Sequence, residues 1–457
     1  MARASVEVHG LNSSEGVRKI AACNRHHPDK LLDSVLKDYN LMVDVKVSTA
    51  NLTATLRDYP YVKPSDLIQV LASKGHLSKV LGVPVETSRE IFREFWRRFR
   101  LIHPNHEVFK RIDAGEIDPS YLVPIYGHAD GGTGYKKSSV DVFQWQAALG
   151  SGTRASIKQV KKGHLKTKMF LNYTGHSFRT RWLFGLVRSV TYKIDPGSFQ
   201  AFLKLWADEL KSIYQDGVQV GVNKYWFVTL GAKADIPFAA KISNSSRTHS
   251  SIRKVAPGPN PNDLKGCCIW CCGGKGPISF ENVNLQADWV ATIGKEMPWA
   301  GGVEPQLITQ LPHDTDNPAE FFLRDVFHIT KSGHGKNFSA SGIVYALHLF
   351  GKRSMQASLD ELNTRFRASK VHCHFGSFSK DMLGLGSAGD YPVGHWSAGS
   401  DTPKIMGFLK DWLETEPEAV SKDPMLEDII SGCKALECCL KVMYESGWWF
   451  NRKEAGP

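Results

Sequence analysis

Two apolar runs in this chain end in the same way. Tyr121-Leu-Val-Pro-Ile-Tyr126 breaks at Gly127-His-Ala-Asp130-Gly-Gly-Thr-Gly134, and Trp226-Phe-Val-Thr-Leu230 breaks at Gly231-Ala-Lys-Ala-Asp235. Short uncharged runs closed by glycine read as buried strands running into turns. Between them, Phe199 to Tyr214 places Phe202, Leu203, Leu205, Trp206, Leu210 and Ile213 at helical spacing. Strand, helix and second strand predict an α/β core, in which functional groups collect beyond the carboxyl ends of the strands. Asp130 and Asp235 stand at those ends. Taken singly, an aspartate beside glycine is an ordinary turn former. As a pair, the two carboxylates are hard oxygen ligands suited to Mg²⁺ or Mn²⁺. Two such ions about 4 Å apart can activate a water or a 3′-hydroxyl and stabilise the leaving oxygen of a phosphodiester.

The flanking sequence is different in texture. Residues 1–115 read as a helical N-terminal region, with apolar spacing over Ser65–Lys79 and Glu86–Leu101. The second of these alternates Phe92, Phe95, Trp96 and Phe99 with Arg93, Arg97, Arg98 and Arg100, which suits a surface helix with an aromatic inner face or a helix lying on a phosphate backbone. After a second apolar run, Val140–Leu149, the stretch Ser151–Lys168 is basic and polar, with Lys158, Lys161, Lys162 and Lys166, and reads as a loop or hairpin connection. Residues 242–266 read as a polar loop. Asp325–Phe350 predicts one long helix or two, residues 370–399 an irregular segment, and Asp401–Leu413 and Glu427–Tyr444 two further helices.

Gly266-Cys-Cys-Ile-Trp-Cys-Cys272 contains a C-x-x-C pair, Cys268 and Cys271, whose thiolates are spaced to grip one tetrahedral Zn²⁺. Two sulfurs are half of a structural site. His328 and His334 are candidates for the other half, as are His372, Cys373 and His374. A redox dithiol or unmetallated buried thiols are the competing explanations. Nine cysteines, odd in number and clustered, argue against a secreted disulfide framework. There is no apolar run of membrane-spanning length and no apolar leader at Met1–Gly10. The expected location is therefore the nucleus or cytoplasm, with no membrane partner. The net charge of +11 favours phosphate-bearing partners without requiring them.

The order of these blocks resembles the catalytic region of CACTA (En/Spm-like) cut-and-paste DNA transposases. Asp235-Ile-Pro-Phe followed by Cys268-Ile-Trp-Cys271 looks like that family's aspartate and C-x-x-C block. Asp325-Val-Phe-His328 is similar to its aspartate–methionine–histidine block, and Ser397-Ala-Gly-Ser-Asp401 to a helix start in related elements. The resemblance covers roughly residues 120 to 415. It implies an RNase H-like fold, a mixed sheet flanked by helices. The core would occupy residues 116–241, a cysteine-bearing insertion 242–320, and a helical remainder of the core 321–457. It also implies DNA as partner, and cleavage and strand transfer by two Mg²⁺ (or Mn²⁺) ions on three carboxylates; a homo-oligomer is compatible with it. Asp130 and Asp235 match the first two. Asp401 matches the third, where it could equally be a helix cap; Asp325 and then Glu414 are the alternatives. Lys158, Lys161, Lys162, Lys166, Arg179 and Arg181 would neutralise phosphates, and Trp145, Trp182 or Trp289 could stack on an unpaired base. The other functions to weigh are a domesticated copy that binds nucleic acid without cutting it, and a zinc-stabilised interaction scaffold.

Overall fold

The computed structural model describes residues 2–12, 14–23, 29–39, 44–133, 138–173, 180–249, 251, 264–352, 354–386 and 391–450. Its centre is a mixed sheet. Strands β3 (Leu122–Thr133), β4 (Ser139–Ala147) and β5 (Trp182–Arg188) form an antiparallel meander, and β7 (Asn223–Lys233) pairs parallel to β3 on the other side. The two-residue strand β8 (Phe322–Leu323) pairs parallel to the end of β7, and the short β6 (Val218–Val220) forms a hairpin with its start. The strand order is β5-β4-β3-β7, with β6 and β8 on β7. The N-terminal region is helical as expected but also contributes a hairpin, β1 (Val47–Ala50) and β2 (Tyr59–Val62), with Tyr59 donating a hydrogen bond to the Leu186 carbonyl of β5.

Helix α1 (Val85–Ile102) turns its aromatics inward. Phe92, Phe95, Trp96 and Phe99 are buried, while Arg97 and Arg98 pair with Glu94 on the outer side. The surface-helix reading accounts for this sequence. Helix α2 (Arg154–Lys161) occupies a stretch expected to be a loop. Thr153 accepts from the Ser156 amide, and Ser156 returns the bond to the Thr153 amide, so a capping box starts the helix despite its many lysines.

Helix α3 (Gly197–Gln215) follows β5 and covers one face of the sheet. Trp206 and Phe202 pack on Phe143, and Trp206 approaches Gly127 so closely that a Cβ there would stand 2.9 Å from its ring. That contact explains the glycine that ends the apolar run. It does not end the strand, because Gly127 through Thr133 still pair with β4 as far as Ser139. Asp130 therefore lies within β3, opposite Val142, and not in a loop beyond it.

Helix α4 (Ile236–Ile242) begins directly after β7. The core around this sheet runs from Leu56 to Phe322 and takes in the N-terminal helices, the sheet and Ile269, Trp270 and Trp299 of the cysteine-bearing segment. It crosses the expected boundaries at 115 and 241 without a break. A second core, Ala340 to Cys433, is built by α5 (His334–Ala346), α6 (Met355–Ala368), α7 (Thr402–Glu414) and α8 (Pro424–Glu445). Before α5, residues His328–Gly333 form a wide π-type turn, so the expected long helix is bent at its start.

Candidate active site

Side chains alternate across a strand, so the residues flanking Gly127 and Ala129 point away from α3. Tyr126, His128 and Asp130 form that opposite row. The C-terminal segment covers one end of it: Trp448 stacks on Tyr126 at 5.7 Å, and its amide bonds to the Met169 carbonyl. The rest of the row opens into a cleft of ≈ 730 Å³. The cleft is walled by the β3 end, Arg181 before β5, Lys233 at the end of β7, the Arg324–Lys331 segment after β8, and Tyr444 of α8.

Of the five candidate carboxylates, Asp130 and Asp325 line this cleft, and Asp235, outside its lining, is near enough for its charge to act on Asp130. Burial raises the pKa of Asp130, and the charges of Asp235 and Asp325 raise it further; the His328 ring acts in the opposite sense. Asp235 caps α4 by accepting from the Phe238 amide at 2.8 Å through one oxygen. The carboxylate of Asp325 accepts from the amides of Phe327 and His328 and from His328 Nδ1 at 2.8 Å. Each of these two aspartates is thus held by local backbone, in the position that puts it near Asp130.

Asp401 is held elsewhere. It is 0% exposed and accepts from the backbone amide and ring Nδ1 of His374 and from the Lys404 ammonium. Burial works against its charge, yet His374 and Lys404 together keep its pKa below the usual range. Its role in the structure is to tie the 370–399 segment to the start of α7. Glu414, at the far end of α7, pairs with Lys434.

The cysteine segment is pinned by an arginine. Arg247, 3% exposed, donates to the carbonyls of Cys268, Lys265 and Cys271 and pairs with Glu296. The Cys271 thiol bonds to Cys268 and, as the largest influence, lowers the Cys268 pKa. The amides of Trp270 and Gly273 point at the two sulfurs, 3.3 and 3.4 Å away. His328 and His334, expected to complete a zinc site with them, do not join the cysteines. His328 is engaged by Asp325, and His334 is exposed at the start of α5. Among the described residues no three His, Cys, Asp or Glu side chains converge on a metal position. A four-ligand structural zinc therefore does not fit this donor set, and Arg247 supplies the cross-link instead.

The expected phosphate-binding residues fall in two groups. Lys158, Lys161, Lys162 and Lys166 are exposed on α2 and the turn after it, and Thr153, which starts α2, lines the cleft. Arg181 is in the cleft wall; Arg179 lies outside the described residues. Trp145 and Trp182 are buried in the core and have no face free for a base, and Trp289 is half-buried with its indole donating to Asn282.

Four cleft residues were not singled out by sequence. His128 and Lys233 are partners across β3 and β7. Lys331 donates to the Tyr444 hydroxyl at 2.8 Å, which closes the wall between the 324–331 segment and α8. His128 and Lys233 could have been found by counting back two residues along the strands from Asp130 and Asp235; nothing local marks Tyr444. Burial, with the charges of Arg181 and Lys233, lowers the His128 pKa to about 4, so its ring is neutral at physiological pH. The chain matches no protein-family model, no curated protein and no solved structure, so its chemistry has to be argued from this cleft.

Proposed function

We propose that this protein cleaves and rejoins DNA at the β3–β7 cleft by transposase-like, two-metal phosphoryl transfer on an RNase H-like core. The observation that carries the reading is the approach of Asp235 and Asp325, from two separate segments, to the half-buried Asp130, whose ionisation their charges oppose. Such a cluster is costly unless a cation shares it. The order β5-β4-β3-β7-β8, with an antiparallel meander, a helix, and then two strands parallel to β3, supports the RNase H-like assignment. In this reading Asp325, not Asp401, is the third acid.

As hard oxygen donors, Asp130, Asp235 and Asp325 are the residues that would hold Mg²⁺ or Mn²⁺, which would supply Lewis acidity and an activated oxygen nucleophile; as they stand they do not converge on one metal position, so binding requires their side chains to close up. The remaining work falls to the chain. Asp325 orients His328 through Nδ1, leaving Nε2 to exchange a proton with the nucleophile or leaving group. The lysines of α2 hold the DNA backbone near the cleft.

The test is a nicking assay on DNA with Mg²⁺ or Mn²⁺. Wild-type protein should cut, and Asp130→Asn, Asp235→Asn and Asp325→Asn should each lose at least about a hundredfold in rate, while Asp401→Asn in folded form should not. A chain that binds DNA and cuts nothing under any of these conditions is a binding protein. The capping bond that occupies one oxygen of Asp235 is the observation favouring that second reading.

A further inference from the structure

Lys233 and Arg181 both line the cleft, Lys233 half-buried and Arg181 exposed, and neither is paired with a carboxylate among the described residues. At the end of β7, the Lys233 ammonium is 4.1 Å from the centre of the Tyr126 ring. Arg181 is close enough for the two cations to repel. Asp325, the acid whose charge reaches Lys233, is committed to His328. His128 lies beside Lys233 in the strand register, and its Nδ1 is buried without a hydrogen-bond partner. Of the cations on the facing segment, Lys331 is bonded to Tyr444 and Arg324 lies over the Trp270 ring.

Packing two like charges together in a partly desolvated wall is unfavourable. The arrangement becomes favourable when an anion with several acceptor oxygens binds between them, since charge-assisted hydrogen bonds are the strong ones. We propose that Lys233 and Arg181, with the ring of His128, form a seat for a phosphate oxyanion in the same cleft as Asp130 and Asp325. The cleft then has an acidic half and a basic half, neither neutralising the other through ion pairs. This deepens the phosphoryl-transfer reading and rests on it only for the identity of the anion, a phosphate of the DNA backbone. Lys233 and Arg181 would position that phosphate; neither is assigned a proton transfer.

The seat can be tested without metal or catalysis. Full-length protein is titrated calorimetrically with inorganic phosphate at pH 7, low salt and excess chelator. Wild type should bind, and Lys233→Met and Arg181→Ala should each weaken binding by about tenfold or more. Lys233→Arg, which keeps the charge, should stay within about threefold of wild type. A second arm repeats the titration with sulfate at pH 7, an oxyanion of the same shape and similar charge, which should show the same order of variants. Lys233→Met should also melt higher than wild type at pH 7, because an uncompensated charge has been removed.

Absence of phosphate binding by wild type overturns the proposal, as does binding by Lys233→Met and Arg181→Ala equal to that of wild type, with either anion. Phosphate binding that behaves as expected in a protein that never nicks DNA defeats the phosphoryl-transfer reading and leaves the seat standing. Nicking with unchanged KM in Lys233→Met does the reverse.

Discussion

Asp130 ionises against its burial and against two neighbouring carboxylates, so its folded-state pKa is raised above the ordinary value. The linkage has a definite sign. A raised carboxyl pKa means the folded state holds its proton more tightly, so ionisation destabilises the fold, and this penalty grows as pH rises through the interval between the unfolded and folded values. Asp130→Asn should therefore raise the melting temperature at pH 7 while abolishing nicking, and the gain should vanish near pH 3. Mn²⁺ should raise the melting temperature of wild type by mass action and that of Asp130→Asn much less, as followed by thermal scanning. Asp401 is the opposite case. It is buried with three donors satisfied, so Asp401→Ala removes the acceptor of the His374 amide while the exposed His374 and Lys404 side chains turn to water, and should cost about 2 kcal/mol in denaturant unfolding. From sequence the two aspartates looked interchangeable, since each stands beside glycine or heads a helix. What separates them is the partners that folding brings, and His374 lies too far along the chain from Asp401 for any local pattern to join them.

Elements were legible where a short-range rule decides them. The aromatic stripe of α1 and the apolar stripe of α3 are the 3.6-residue period itself. Strand β3 was foreseen only in part, because Gly127 reads as a stop and in fact makes room for Trp206; the pairing that carries the strand on to Thr133 comes from β4. Helix α2 was missed because its lysines drew the eye from the Thr153–Ser156 capping box. In the cysteine segment the C-x-x-C spacing was read as half of a zinc site, whereas the pin is an arginine more than twenty residues upstream. Arg247→Ala should accordingly open residues 264–296 to hydrogen exchange, whereas Cys268→Ser should leave both the exchange pattern and a sub-stoichiometric zinc content unchanged. One zinc per chain, lost on Cys268→Ser, would overturn this.

At the scale of the molecule, two cores meet along the cleft. The sheet side supplies Asp130 and Lys233, and the segment leading into the helical side supplies Asp325, His328 and Lys331. No helix among the described residues is long and apolar enough to cross a membrane. The exposed lysines of α2 give the cleft a basic approach, so the logarithm of DNA affinity should fall linearly with the logarithm of salt concentration. Lys158→Glu combined with Lys161→Glu should flatten that slope by about 2, read by fluorescence anisotropy.

The stacking of Trp448 on Tyr126 and the contact of Tyr444 with Lys331 have a temporal implication. A ribosome delivers β3 long before α8, so a nascent chain already holds its acidic residues while one side of their enclosure is still missing. The cleft would stay open on that side until synthesis has passed Trp448, and a premature stop shortly before that point would leave Phe95 and Tyr126 without their aromatic cover.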